Sequence, residues 1–254
     1  MPPVKRVDAL FDFIGRANGP TWGHVLDSGT GEHSLGWLAT LPATSLTAVT
    51  VESWRMGGLH ALAEAAAVAA GHGTTPIDLH LGQWTDPTML HGRVFDQVLV
   101  DYVIGAIDGH APYFQYDFLR RLRPHCGGRV YFIGLEPPPR DGSVLDEVCR
   151  VRDACILLAG HRMYREYPRE VVCDWLGRAG YRVVDARSFA NKLGARFVNG
   201  QLDVATRKLP LFRDRAVAEA MGAHIEELRG RALDRGEQTW GEDWVIVAEA
   251  VEGA

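Results

Sequence analysis

Apolar positions along the chain switch repeatedly between two periods. Short runs of alternating or continuous apolar character at residues 24–27, 46–51, 77–81, 97–103, 129–133 and 181–185 predict strands. Between them, apolar residues recur three and four apart. Val7, Leu10, Phe11 and Ile14 predict a leading helix over 5–16, stopped by Asn18-Gly19-Pro20. Leu35, Trp37 and Leu38 mark a second helix that ends at Leu41-Pro42, and the alanine-rich stretch from Met56 to Ala70 a third, closed by His72 between Gly71 and Gly73. Further helices are predicted through Phe118, Leu119 and Leu122, over Val144–Leu158, over Arg169–Gly177 and over Asp214–Arg235. Residues 97–103 are almost continuously apolar, as in a central parallel strand buried on both faces. Trp244 to Val251 supplies a closing strand. Strands alternating with helices predict an α/β fold, a doubly wound sheet with helices on both faces.

The totals narrow the picture modestly. At 254 residues the chain suits one α/β domain, 1–254, carrying an insertion at about 186–242 where a tight hairpin would suffice. A formal net charge of −5 with no basic run argues against a nucleic-acid partner. No apolar stretch reaches membrane-spanning length, and Met1 to Arg6 lacks a secretory apolar run, so the expectation is a cytoplasmic protein without a membrane partner. Cys126, Cys149, Cys155 and Cys173 show no CxxC spacing, so neither zinc nor a disulfide framework is indicated and the thiols are expected reduced. No metal site is predicted, and no oligomeric state.

The chemistry gathers around Val25-Leu26-Asp27-Ser28-Gly29-Thr30-Gly31-Glu32-His33-Ser34. A strand runs into an acidic residue, turns through two glycines and enters a helix. Glycines let the backbone approach a ligand, and a helix start presents unpaired N–H groups. Twenty-one residues beyond Gly31 the second strand ends at Glu52, a spacing that suits a carboxylate gripping ribose hydroxyls. A pyrophosphate fingerprint would place a third glycine where Ser34 stands. Asp27 inside the turn suits a cationic or amino-acid-bearing ligand better.

This stretch resembles motif I of the class I (Rossmann-like) S-adenosylmethionine-dependent methyltransferase superfamily. Two further runs are similar to that family: Leu122 to Gly128, which is similar to the family's LxPxGG turn entering a strand with one residue more before the glycines, and the helix–AGY–RVVD run ending at Asp185. The resemblance implies a mostly parallel seven-stranded sheet whose last strand is antiparallel. It implies S-adenosylmethionine as cofactor, with Asp27, Gly29, Thr30, Gly31 and Asp101 around its methionine portion and Glu52 on its ribose. Gln83 stands where the family commonly has an aspartate facing the adenine amine, and its carbonyl can still accept that hydrogen bond. Trp84 would flank the ring, or else plug the core.

For the acceptor, the loops that leave strands four, five and six are the ones able to reach over the methyl group. They contribute Asp101, Tyr102, Asp108, His110, Tyr113, His161 and Tyr164. His110 is the candidate for proton removal, because imidazole titrates near neutrality. Asp101 could instead touch the acceptor. The three tyrosines could enclose a flat or cationic group, and His224 reads as a core-edge histidine. Acidity and size favour a small-molecule acceptor methylated on O, N or S. Two other functions compete. One is an aminopropyltransferase using decarboxylated S-adenosylmethionine, suggested by Asp101 and Gly109 to Phe114 but lacking that family's GGGDG loop. The other is a non-catalytic methyltransferase-like binding subunit.

Overall fold

The computed structural model describes residues 8–69, 71 and 75–251; residues 5–7 of the leading helix, Ala70, His72 and Gly73 lie outside them. Among the described residues, strands β1 (His24–Asp27), β2 (Ser45–Thr50), β3 (Ile77–Leu81), β4 (Phe95–Asp101), β5 (Cys126–Leu135), β6 (Tyr181–Leu193) and β7 (Gln238–Ala250) form one sheet. Its order is β3-β2-β1-β4-β5-β7-β6. The strands β1 to β5 pair in parallel, and β7 runs antiparallel to both β5 and β6. Strand order reverses beside β1, so the carboxyl ends of β1 and β4 flank a crevice of the kind in which such sheets bind ligands.

Period-2 alternation divides the strands cleanly between two cores. Val25, Leu46, Ala48, Leu99, Tyr131, Ile133, Val245 and Val247 face helices α1 (Ala9–Asn18), α2 (Glu32–Leu38) and α3 (Met56–Ala69). Leu26, Val49, Val98, Val100, Val130, Phe132 and Ile246 face α4 (Val103–His110), α5 (Gln115–Leu122) and α7 (Arg169–Arg178). A third apolar cluster joins α6 (Val144–Leu158), α8 (Ala195–Lys208) and α9 (Arg215–Asp234) through Val148, Leu202, Ile225 and Leu228. Helix α1 is capped by Asp8, whose carboxylate accepts from the Leu10 amide, and Phe11 stacks on Trp37 with ring centroids 4.3 Å apart.

The turn from Leu122 to Gly128 has a steric reason. A Cβ on Gly128 would lie 2.2 Å from the Asp96 carbonyl oxygen, and one on Gly127 would lie 2.8 Å from the Val94 side chain. Only hydrogen fits where β5 begins beside β4.

Four sequence expectations need correction. Strand four ends at Asp101, not Val103, because Tyr102 turns the chain with a left-handed φ of 54° and caps a helix directly. Gly105 and Gly109 lead the sequence to predict a loop over 104–114, but most of it is helix α4; glycine stands at both positions because Glu166 and Tyr164 occupy the space a side chain would need. Strands β5 and β6 outrun their predicted ends, since the hairpin partner β7 starts at Gln238 and pairs with β6 as far as Leu193. Arg187, Asn191, Lys192, Arg196, Asn199 and Gln201, a polar run that the sequence alone predicts to be irregular, lie in strand β6 and helix α8.

Candidate functional site

A cavity of about 230 Å³, partly open to solvent, lies at the carboxyl ends of β1, β2, β3 and β4. Each strand delivers one part of it. β1 leads into Ser28-Gly29-Thr30, β2 into Val51 and Glu52, β3 into Gly82, Gln83 and Trp84, and β4 into Asp101 and Tyr102. The first turns of α4 add Val103, Ala106 and Ile107, its end adds His110, and Tyr164 comes over from the segment between α6 and α7.

The glycine turn is held from both sides. The Ser28 amide and hydroxyl both donate to the Leu99 carbonyl, and the Thr30 amide donates to the Val49 carbonyl at 2.7 Å. Gly29 packs so closely on α4 that a Cβ would stand 2.4 Å from the Val103 side chain. Gly31 is the cap of α2. Its amide donates to the Ser34 hydroxyl at 3.1 Å, and that hydroxyl donates back to the Gly31 carbonyl. Ser34 in the third-glycine position thus closes the helix start, which a glycine could not do.

Buried polar atoms converge here without protein partners. Among the described residues, both carboxylate oxygens of Asp27, the Thr30 hydroxyl and one oxygen of Asp101 are buried and make no hydrogen bond. Burial pushes Asp27 up to about 6; the Thr30 and Ser34 hydroxyls and the Gly29 amide lie near enough to oppose that rise, none in full hydrogen-bond geometry. Asp101 is pushed up to about 7 by burial, with the charges of Asp27, Asp8 and Asp243 adding to it. Nearly all buried polar groups in folded proteins are satisfied, so such a cluster marks a place prepared for a ligand that donates hydrogen bonds.

Glu52 forms an ion pair with Arg55 at the rim. The Gln83 carbonyl accepts a long bond from the Thr85 hydroxyl, 3.4 Å, and its side chain is exposed. Trp84 both plugs and lines. It is 5% exposed, donates from Nε1 to the Ser28 carbonyl at 2.6 Å, and meets Phe118 edge-on. Burial holds the Tyr102 phenol far above its usual range, with Asp243 and Asp101 adding to the rise.

Of the residues singled out in the sequence, Gly29, Thr30, Glu52, Gln83, Trp84, Asp101, Tyr102, His110 and Tyr164 line this cavity together. Asp27 and Gly31 sit behind its wall, and Tyr113 and His161 lie outside it. Tyr113 is exposed beside Arg162 and Arg165, and the His161 Nδ1 lies 2.8 Å from the Lys208 ammonium.

Arg55, in the cavity wall, and two partly buried carboxyls outside it, Glu166 and Asp243, were not singled out in the sequence. Arg55 lines the cavity one turn after Glu52. Glu166 lies over Gly105, where burial pushes it up to about 7, Arg152 opposing and Asp243 adding. Asp243 is raised by burial while the Asn191 and Tyr102 side chains oppose the rise. Gly105 and Gly109, four apart in a helix, were the available signal for a segment crossing α4.

No known family model matches the sequence, and no curated protein matches it. Solved structures do resemble the fold. A protein of Bacillus halodurans described as a methyltransferase superposes with a TM-score of 0.59 at 15% identity, covering 94% of this chain and 97% of its own. An S-adenosylmethionine-dependent methyltransferase of Geobacter sulfurreducens, solved with S-adenosyl-L-homocysteine, gives 0.53 at 13% identity over 95% and 90%. The [4+2]-cyclase SpnF gives 0.51 at 15% identity over 96% and 81%. The chain has the class I methyltransferase fold. A cyclase among its likenesses shows that this fold does not dictate the reaction, so the function must be argued from the cavity.

Proposed function

We propose that the protein transfers a methyl group from S-adenosylmethionine to a small-molecule acceptor. The observation that carries this reading is the unpartnered buried oxygens of Thr30 and Asp101 in the wall of a cavity that also holds Glu52 and Gln83, with the Asp27 carboxylate buried behind them. An α-ammonium group is a donor that the buried Asp101 carboxylate can take, and a ribose diol suits a carboxylate at the end of β2. Gln83 accepts from the adenine amine, while Trp84 and Ile107 give the ring its apolar walls.

The bound cofactor would supply an electrophilic methyl group. What the chain contributes is alignment and the handling of one proton. Tyr102 and Asp101 border the acceptor side, and Asp243 and Glu166 stand behind them. His110 is the candidate base for an acceptor hydroxyl, thiol or amine. Tyr164 closes the cavity from above, and Tyr113 and His161 serve its outer rim.

Thermal melting tests the reading against its competitors. S-adenosylmethionine and S-adenosylhomocysteine should each raise the Tm, since a ligand at a hundred times its Kd adds about 2.7 kcal/mol to stability. Stabilisation by the decarboxylated cofactor alone would favour aminopropyl transfer, and no response to any of them would favour a binding subunit.

A further inference from the structure

The outer rim carries a feature that the methyl-transfer reading leaves unused. Asp108 is 2% exposed, at the end of α4, and gathers donors from a whole loop. Its Oδ1 accepts from the Tyr113 amide at 3.0 Å and the Gln115 side chain at 3.1 Å. Its Oδ2 accepts from Arg162 at 2.9 Å, with the Arg165 Nε 3.7 Å away. Burial alone would raise this carboxyl, but the Tyr113 amide and the Arg162 and Gln115 side chains hold it below its ordinary range.

Two guanidinium groups therefore share one carboxylate oxygen, and both also lie over one ring. Arg162 and Arg165 stand 5.4 and 5.3 Å from the Tyr113 centroid. The Tyr113 ring is 69% exposed and its backbone is left-handed, φ 66°. A β-carbon-bearing residue in that region is strained, and such strain clusters at ligand clamps. Against a chain of net charge −5, two guanidinium groups here share one buried carboxylate.

The patch adjoins the cavity. Tyr164, between the two arginines in sequence, lines the cavity and covers Gly109, and His110 lines it from the same turn of α4. We propose that Arg162 and Arg165, braced by Asp108 and Tyr113, form a fork that binds an oxyanion, a carboxylate or phosphate, on the methyl acceptor. The acceptor assignment rests on the methyl-transfer reading. Both arginine side chains stay partly in solvent, 42% and 45% exposed, so donors not engaged by Asp108 are accessible to an oxyanion, which guanidinium groups bind in a bidentate manner. A carbon chain from that anion passes Tyr164 to enter the cavity.

The test titrates inorganic phosphate and, separately, acetate, at constant ionic strength, into protein with and without saturating S-adenosylhomocysteine. Wild type and Arg178→Gln, a control on an exposed surface arginine of α7, should bind one anion alike. Arg162→Gln/Arg165→Gln should weaken it at least tenfold and leave S-adenosylhomocysteine affinity unchanged. Arg162→Lys/Arg165→Lys, which keeps the charge and loses the fork, should fall between, and it carries the test if the glutamine pair unfolds. The anion preferred identifies the acceptor group as phosphate or carboxylate. Equal anion binding by wild type and both double variants, or none by wild type, overturns the fork. Competition between anion and S-adenosylhomocysteine would assign the fork to the cofactor's own carboxylate and overturn the proposal. Failure of S-adenosylhomocysteine to bind wild type would remove the methyl-transfer reading and leave the anion result standing on its own.

Discussion

Asp101 and Asp27 hold their protons to a pH well above the 3.8 of an ordinary aspartate, and that has two consequences of opposite sign. In the free protein the folded state keeps these protons while the unfolded chain releases them. Their contribution to stability is therefore full below about pH 4 and is lost as pH rises through about 6 and 7. Melting in the absence of ligand should show Tm falling across that window more steeply in wild type than in Asp101→Asn. A ligand ammonium needs the ionised carboxylates, so cofactor affinity should rise over the same window. For a group titrating at about 7, the ionised fraction drops from about a half at pH 7 to about a tenth at pH 6, roughly a fivefold loss of affinity. Calorimetry at the two pH values checks this, and a pH-independent Kd would show that Asp101 does not meet the ammonium. Gln83→Leu should weaken cofactor binding several-fold with an unchanged Tm in the free protein, because its side chain is exposed and braces nothing. For His110, a pH–rate profile of His110→Gln is the measure once an acceptor is in hand, and identical profiles would remove it as base.

At the scale of elements, glycines decide how closely β5 meets its neighbours. Gly134 faces the indole of Trp244 on β7, and an added Cβ would lie 2.1 Å from that ring. Trp244 is fully buried, so neither partner can give way. Gly134→Ala should cost about 1–3 kcal/mol in denaturant unfolding. An unchanged midpoint would mean the sheet relaxes there. Elements with a clean local period were legible in the sequence: β1, β3 and α6 lie where apolar spacing puts them. Those that failed depended on partners distant in sequence. Gly105 and Gly109 argue locally for a loop, and their reason, the close approach of Glu166 and Tyr164, lies more than fifty residues away in sequence. The far halves of β6 and β7 are too polar to read as strands, and they are held by pairing with each other.

The whole molecule brings to one cavity nine of the residues that the sequence had marked, although they come from segments up to 135 residues apart between Gly29 and Tyr164. The strand-end rule made the inner wall legible, because Asp27, Glu52, Gln83 and Asp101 each follow or end an apolar run. The outer rim was less so, since the segment carrying Tyr164 and Glu166 has no period of its own. It is fixed by the Asp108 ion pairs and by the Arg165 amide, which donates to the Gly105 carbonyl at 3.0 Å. Removing that brace with Asp108→Ala should cost about 2–3 kcal/mol, reduced from a fully buried pair because both arginines are partly in water. Proteolysis should then cut first between α6 and α7; cleavage elsewhere at the wild-type rate would show that Asp108 does not fasten the segment.

The central claim is that the carboxyl ends of β1, β2, β3 and β4 bind S-adenosylmethionine, and calorimetry with S-adenosylhomocysteine tests it most directly. Wild type should bind one equivalent. Glu52→Ala should lose a charge-assisted contact worth about 1.5–3 kcal/mol, a Kd roughly ten- to a hundredfold weaker. No binding by wild type, or the same Kd in both proteins, would contradict the account.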